Sequence, residues 1–160
     1  MEVVIVFAAI VVLVFVGAFL SGRRFGALAL GLAAGSILSG FWASGLAFPL
    51  EGVGLSMSWL PAEVLATIIL LIVPAAILLF SGPKYTKKFS RVVSALAIGV
   101  LTAAFLVKPL GGLMTLDGTA LEVYKVFAEY WQYAVGVGLI FGVLDLFMLH
   151  GTKLSKDKKH

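Results

Sequence analysis

Apolar residues fall along this chain in five long blocks separated by short polar punctuation. The first, Val3 to Leu20, holds 18 consecutive residues without a polar side chain and stops at Ser21-Gly22-Arg23-Arg24. Its Val and Ile content favours strand in water. In lipid a segment must satisfy its own backbone hydrogen bonds, and about 20 apolar residues suffice for a helix to cross the hydrocarbon, so helix is the prediction. The arginines follow the apolar run, whereas a cleaved signal peptide carries positive charge ahead of it, and the pattern therefore predicts a retained helix.

The second block, 26–48, is interrupted by Ser36, Ser39, Trp42 and Ser44 and is expected to end at Pro49. Segment 49–62 mixes two prolines, two glycines and Glu51 with apolar residues and reads as a loop or a shallow interfacial piece. The third span, 64–80, is preceded by Pro61 and Glu63, which fit N1 and N3 of a first helical turn. Pro74 in its middle predicts a kink. The fourth span, 92–107, is bounded by Lys108-Pro109 and Gly111-Gly112. In the last, Glu122, Lys125 and Glu129 share one helical face. Residues 121–132 are expected to form an amphipathic lead-in at the membrane surface, 133–149 to cross, and 153–160 to form a frayed basic tail. The expected architecture is an all-α, polytopic membrane bundle of about five transmembrane helices forming one integral domain.

Composition agrees. Of 160 residues, 61% are hydrophobic and 12% charged, and mean hydropathy is +1.11. Soluble domains carry about 45–50% apolar and about 25% charged residues. A soluble domain, a disordered chain and a nucleic-acid-binding domain are excluded, and the lipid bilayer is the first partner. There is no cysteine, hence no disulfide, thiolate metal site or thiol nucleophile.

The distribution of charge matters more than the net +4. With five crossings, one side of the membrane receives Arg23, Arg24, Lys84, Lys87, Lys88, Arg91, Lys153, Lys156, Lys158 and Lys159, and the other only Lys108 and Lys125. Basic residues accumulate on the cytoplasmic side, so the amino terminus is expected outside and the carboxyl terminus inside. Trp42, Trp59 and Trp131 all fall near the outer boundary, where amphipathic rings anchor. Lys84, Lys87 and Lys88 are candidates for contact with anionic lipid headgroups.

Chemistry-bearing residues are sparse. Gly31 and Gly35 form a GxxxG pair in span two, and Gly138 and Gly142 form a weaker series with Ala134 in span five. Small residues let helices approach closely in lipid, and two readings stand: a central position for span two, or a seam between copies of the chain. Asp145 is the one ionisable residue well inside a span, about 12 Å along the helix from Lys153 at 1.5 Å per residue. Arg91, Arg24 or the hydroxyl of Ser94 lie at a depth to meet it. It reads either as a structural ion pair or as an ion or proton relay. No catalytic constellation, cofactor fingerprint or metal set emerges, since His150 and His160 are the only histidines. Asp117 to Glu122 approaches a phosphatidyltransferase signature, but Leu121 stands where that signature requires Arg.

The short apolar first helix, then Gly22-Arg23-Arg24-Phe25-Gly26 and a small-residue-rich second helix, resembles the opening of the colicin V production protein family. The stretch Phe89 to Leu101 is similar to that family's later Arg-then-glycine helix. The resemblance implies a bacterial inner-membrane, multi-pass, non-enzymatic accessory linked to secretion or envelope maintenance, with no catalytic residues to transfer. The apolar turn after Gly26 and the span carrying Asp145 depart from the family's pattern. The leading expectation is a scaffold or accessory subunit, homo-oligomeric or with another membrane protein as partner. The alternatives are a holin-like oligomeric pore or small ion-coupled transporter using Asp145, and a lipid-modifying enzyme.

Overall fold

The structure is a computed structural model that describes residues 2–54, 59–81, 88–111, 113 and 119–157. The described residues form five helices: α1 (Glu2–Ser21), α2 (Phe25–Gly52), α3 (Ala62–Ser81), α4 (Lys88–Gly111) and α5 (Thr119–Asp157). Each contains a stretch long and apolar enough to cross a membrane. The protein is therefore an all-α, multi-pass membrane bundle. Large apolar side chains such as Phe41, Phe48, Phe80 and Phe147 are exposed around it. In water such a surface would drive aggregation; in lipid it is the expected exterior.

Several boundaries move. α2 continues through Pro49 to Gly52, and α4 continues through Pro109 to Gly111. Proline in a final turn removes one hydrogen bond but already holds the helical φ, so it does not by itself end a helix in a membrane. The chain instead leaves α2 where the Gly54 N–H bonds to the Glu51 carbonyl at 2.9 Å, with Gly54 at φ +74°. At the start of α3 the Pro61 carbonyl accepts from the Leu65 N–H at 3.1 Å. That places Pro61 at the N-cap and Glu63 at N2, one position earlier than expected. α5 is unbroken from Thr119 to Asp157, with no division between a surface lead-in and a crossing segment. At 1.5 Å per residue it is about 58 Å long, far more than a hydrocarbon layer of about 30 Å. Its apolar span covers Ala128–Met148. The expected tail is helical as far as Asp157.

The packing order departs from a central span two. α4 touches every other helix, whereas α2 touches α3, α4 and α5, and α1 touches only α3 and α4. More than half of the α4 span is buried, 56%, against 44% for α2 and 6% for α5. The reason lies in side-chain size. α4 supplies Ile98, Leu101, Leu106 and Leu110, all at most 2% exposed, to fill the middle of the bundle. Thr102, equally buried, satisfies its hydroxyl on the Ile98 carbonyl at 2.7 Å.

The small residues of α2 serve a narrower purpose. A Cβ at Gly31 would lie 2.9 Å from Ala75 Cα, and one at Gly35 would overlap the Leu71 carbonyl and lie 2.7 Å from that of Leu70. Both glycines therefore seat α2 directly on the backbone of α3. Pro74 has no N–H to return to the Leu70 carbonyl four residues earlier. That freed carbonyl is one of the two oxygens facing Gly35, where a Cα–H can approach it. The GxxxG pair and the proline, read separately in the sequence, meet in one antiparallel hairpin.

Candidate functional site: the arginine turn and Asp145

α1 and α2 are consecutive in the chain yet do not pack on one another. The three-residue turn between them, Gly22-Arg23-Arg24, is held by the other helices instead. Helix ends expose unsatisfied carbonyls and a negative dipole end, which cationic side chains complement. The Arg23 guanidinium donates from Nε to the Leu79 carbonyl at 2.8 Å and from Nη2 to the Phe80 carbonyl, closing the end of α3. Arg91 of α4 does the same for α1, its Nη2 donating to the Leu20 carbonyl at 3.1 Å and lying 3.4 Å from that of Phe19. Gly22 makes this closure fit. Its φ is +59°, and a Cβ there would overlap the Arg91 side chain. Ser94 donates its hydroxyl to the Arg23 carbonyl at 3.3 Å.

Arg24 turns toward α5. Its Nη1 lies 3.5 Å from Asp145 Oδ1 and 3.3 Å from the Asp145 backbone carbonyl. The other carboxylate oxygen, Oδ2, accepts from the backbone N–H of Gly26 at 3.2 Å. Arg24 is the N-cap residue of α2 in extended conformation and makes no side-chain cap of its own. The acceptor that α2 lacks at its N-terminus is supplied by a carboxylate from another helix, at the end of the dipole where negative charge is stabilised. The side chains of Arg24 and Asp145 are only 21% and 19% exposed.

Close backbone approach puts Asp145 within reach. A Cβ on Gly26 would overlap the Gly142 carbonyl, and one on Gly142 would lie 3.1 Å from Ala29 Cβ. The two glycines let α2 and α5 cross almost in contact, and Asp145 follows Gly142 by one turn. Gly138 faces α4 rather than α2, with Leu101 Cδ1 only 2.8 Å from where a Cβ would stand. The span-five glycines thus meet the first turns of α2 and the middle of α4, away from Gly31 and Gly35.

Of the three candidates for meeting Asp145, Arg24 makes the ion pair. Arg91 closes the end of α1, and Ser94 binds the turn itself. Asp145 and Ser94 do share an apolar groove of about 710 Å³ between α4 and α5, walled by residues such as Val93, Ala97, Val137 and Phe141. Sequence reading missed Arg23 as the closure of α3 and the Gly26 N–H as a partner of Asp145. The available signal was the set of open carbonyls and N–H groups at every helix end, which demands partners wherever a turn is short. At the opposite end of the bundle, Trp42 is 62% exposed, Trp59 packs against the core edge, and Trp131 is partly buried beside α4. Lys84, Lys87 and the Lys88 side chain lie outside the described residues. No family model, curated protein or solved structure matches the chain.

Proposed function

We propose that this five-helix membrane protein is a non-enzymatic scaffold or accessory subunit, in which the Arg24–Asp145–Gly26 contact locks α5 to the start of α2. The observation that carries this reading is the use made of Asp145: both carboxylate oxygens are engaged in holding two helices together. Charge distribution supports insertion with the amino terminus outside and the arginine turn inside, since ten of twelve basic residues fall on that side of a five-span chain. The resemblance to the colicin V production protein family supports a place in a bacterial inner membrane and a task in secretion or envelope upkeep.

A second reading, an ion-coupled carrier, has one observation in its favour: Asp145 also borders the groove between α4 and α5. Reconstitution separates the two. A scaffold gives no proton or cation flux in sealed vesicles across a wide pH range, and Asp145→Asn then changes stability alone. Flux that is present and is abolished by Asp145→Asn in folded protein would replace the scaffold by a carrier.

Orientation has its own test, made simple by the absence of native cysteine. Val53→Cys, at an exposed position after α2, is expected to react with a membrane-impermeant thiol reagent in intact cells. Lys87→Cys is expected to react only after permeabilisation. The reverse pattern would invert the assignment.

A further inference from the structure

At the end of the bundle away from the arginine turn, α2, α3, α4 and α5 together border a second, open-sided cavity of about 440 Å³, within the size range of small-ligand sites. Its lining is unusual for a chain so poor in intramembrane polar groups. α2 contributes Ser36, Ser39 and Ser44, α3 contributes Glu63 and Thr67, α4 contributes Lys108, and α5 contributes Trp131. Two of the hydroxyls have local acceptors: Ser39 donates to the Ser36 carbonyl at 2.8 Å and Thr67 to the Glu63 carbonyl at 2.9 Å. The Ser44 hydroxyl donates to Glu63 Oε1 at 3.3 Å and fixes the carboxylate toward α2. Leu71 and Phe105, 2% and 9% exposed, border the cavity on the side of the apolar core.

Glu63 stands in the first turn of α3 and Lys108 in the last turn of α4, where each complements its own helix dipole. That accounts for their presence but not for their facing one cavity. Among the described residues neither has an ion-pair partner, and they do not close on each other. Two opposite charges on different helices bordering one cavity, with hydroxyls also in its lining, complement a ligand that carries both charges. We propose that this cavity binds a zwitterion, with an ammonium at the Glu63 carboxylate and an anionic group at the Lys108 ammonium. Trp131 adds an aromatic side chain to the lining. Two sources offer this chemistry: a free solute or the headgroup of an ethanolamine phospholipid. The inference is independent of the helix lock at the other end and would stand if the scaffold reading fell.

The test uses the full-length protein and phosphoethanolamine as ligand, read by emission of Trp131 in a Trp42→Phe/Trp59→Phe background and by thermal stabilisation of the unmodified chain. Saturable binding is expected, with inorganic phosphate or ethylamine alone binding at least about tenfold more weakly. Glu63→Gln and Lys108→Gln are expected to weaken it by about tenfold or more, while Glu63→Asp and Lys108→Arg, which keep the charges, bind within a few-fold of the parent. Nanodiscs separate the sources. A lipid headgroup as natural occupant predicts that phosphatidylethanolamine discs block the soluble ligand and phosphatidylglycerol discs do not. A free solute predicts equal binding in both. Absence of saturable binding in detergent and in both discs, or unchanged affinity in Glu63→Gln and Lys108→Gln, would overturn the proposal.

Discussion

Replacing Gly31 and Gly35 together by leucine is expected to separate α2 from α3, lowering stability in detergent by about 3 kcal/mol or more. Overpacking is usually relieved by side chains moving aside. At Gly35 the obstructing atoms are the carbonyl oxygens of Leu70 and Leu71, and at Gly31 they include Ala75 Cα, so the helix as a whole would have to retreat. The same span carries its own control. Gly40 and Gly45 also lie in α2, but nothing lies within 4 Å of a Cβ built on either. Gly40→Ala should therefore be neutral or stabilise by up to about 1 kcal/mol, since alanine is the better helix former. Thermal unfolding and limited proteolysis of the three proteins side by side check this. Equal behaviour of the Gly31/Gly35 and Gly40 variants would mean that α2 does not rest on α3 as described.

The second large effect is at Asp145. Asp145→Ala removes both the carboxylate paired with Arg24 and the acceptor of the Gly26 N–H, and is expected to cost about 2–4 kcal/mol, because a partly buried cation loses its counter-charge and a helix N-terminus is left open. Asp145→Asn retains an oxygen for the Gly26 N–H and should cost about half as much. Arg24→Met alone leaves the carboxylate without its ion pair to Arg24, so the double substitution Arg24→Met/Asp145→Asn should be less damaging than the two single costs added together. A coupling of about 1–2 kcal/mol is the expected result of the cycle. Strict additivity would show that the two residues do not act as one unit.

Both predictions concern residues that the sequence singles out, yet neither could be assigned a partner from it. Asp145 stands out because an ionisable group among apolar residues must be satisfied. Three partners lay at the right depth, and the choice of Arg24 depends on how near α5 approaches α2. That distance is set by Gly26 and Gly142 meeting backbone to backbone. Arg91, an equal candidate by depth, is directed to α1 because Gly22 opens a place for it. The cavity around Glu63 and Lys108 was not legible, because its residues come from four helices and each reads as ordinary when taken with its own helix alone. Likewise Pro49 and Pro109 look like terminators, but a terminal-turn proline satisfies the helical φ and the chain continues.

The sequence by itself determined that the chain is a set of five apolar helices: lipid offers the backbone no hydrogen-bond partner, so long apolar runs have no alternative to helix. It also marked the close-packing glycines and the buried charge, since both are properties of residue type and depth. Only the tertiary structure decided which helix occupies the centre, which glycines meet backbone and which face open space, and which cation meets Asp145. Depth along a span is written in one dimension. Azimuth and interhelical distance arise from the summed shapes of several helices, and no local stretch of sequence contains them.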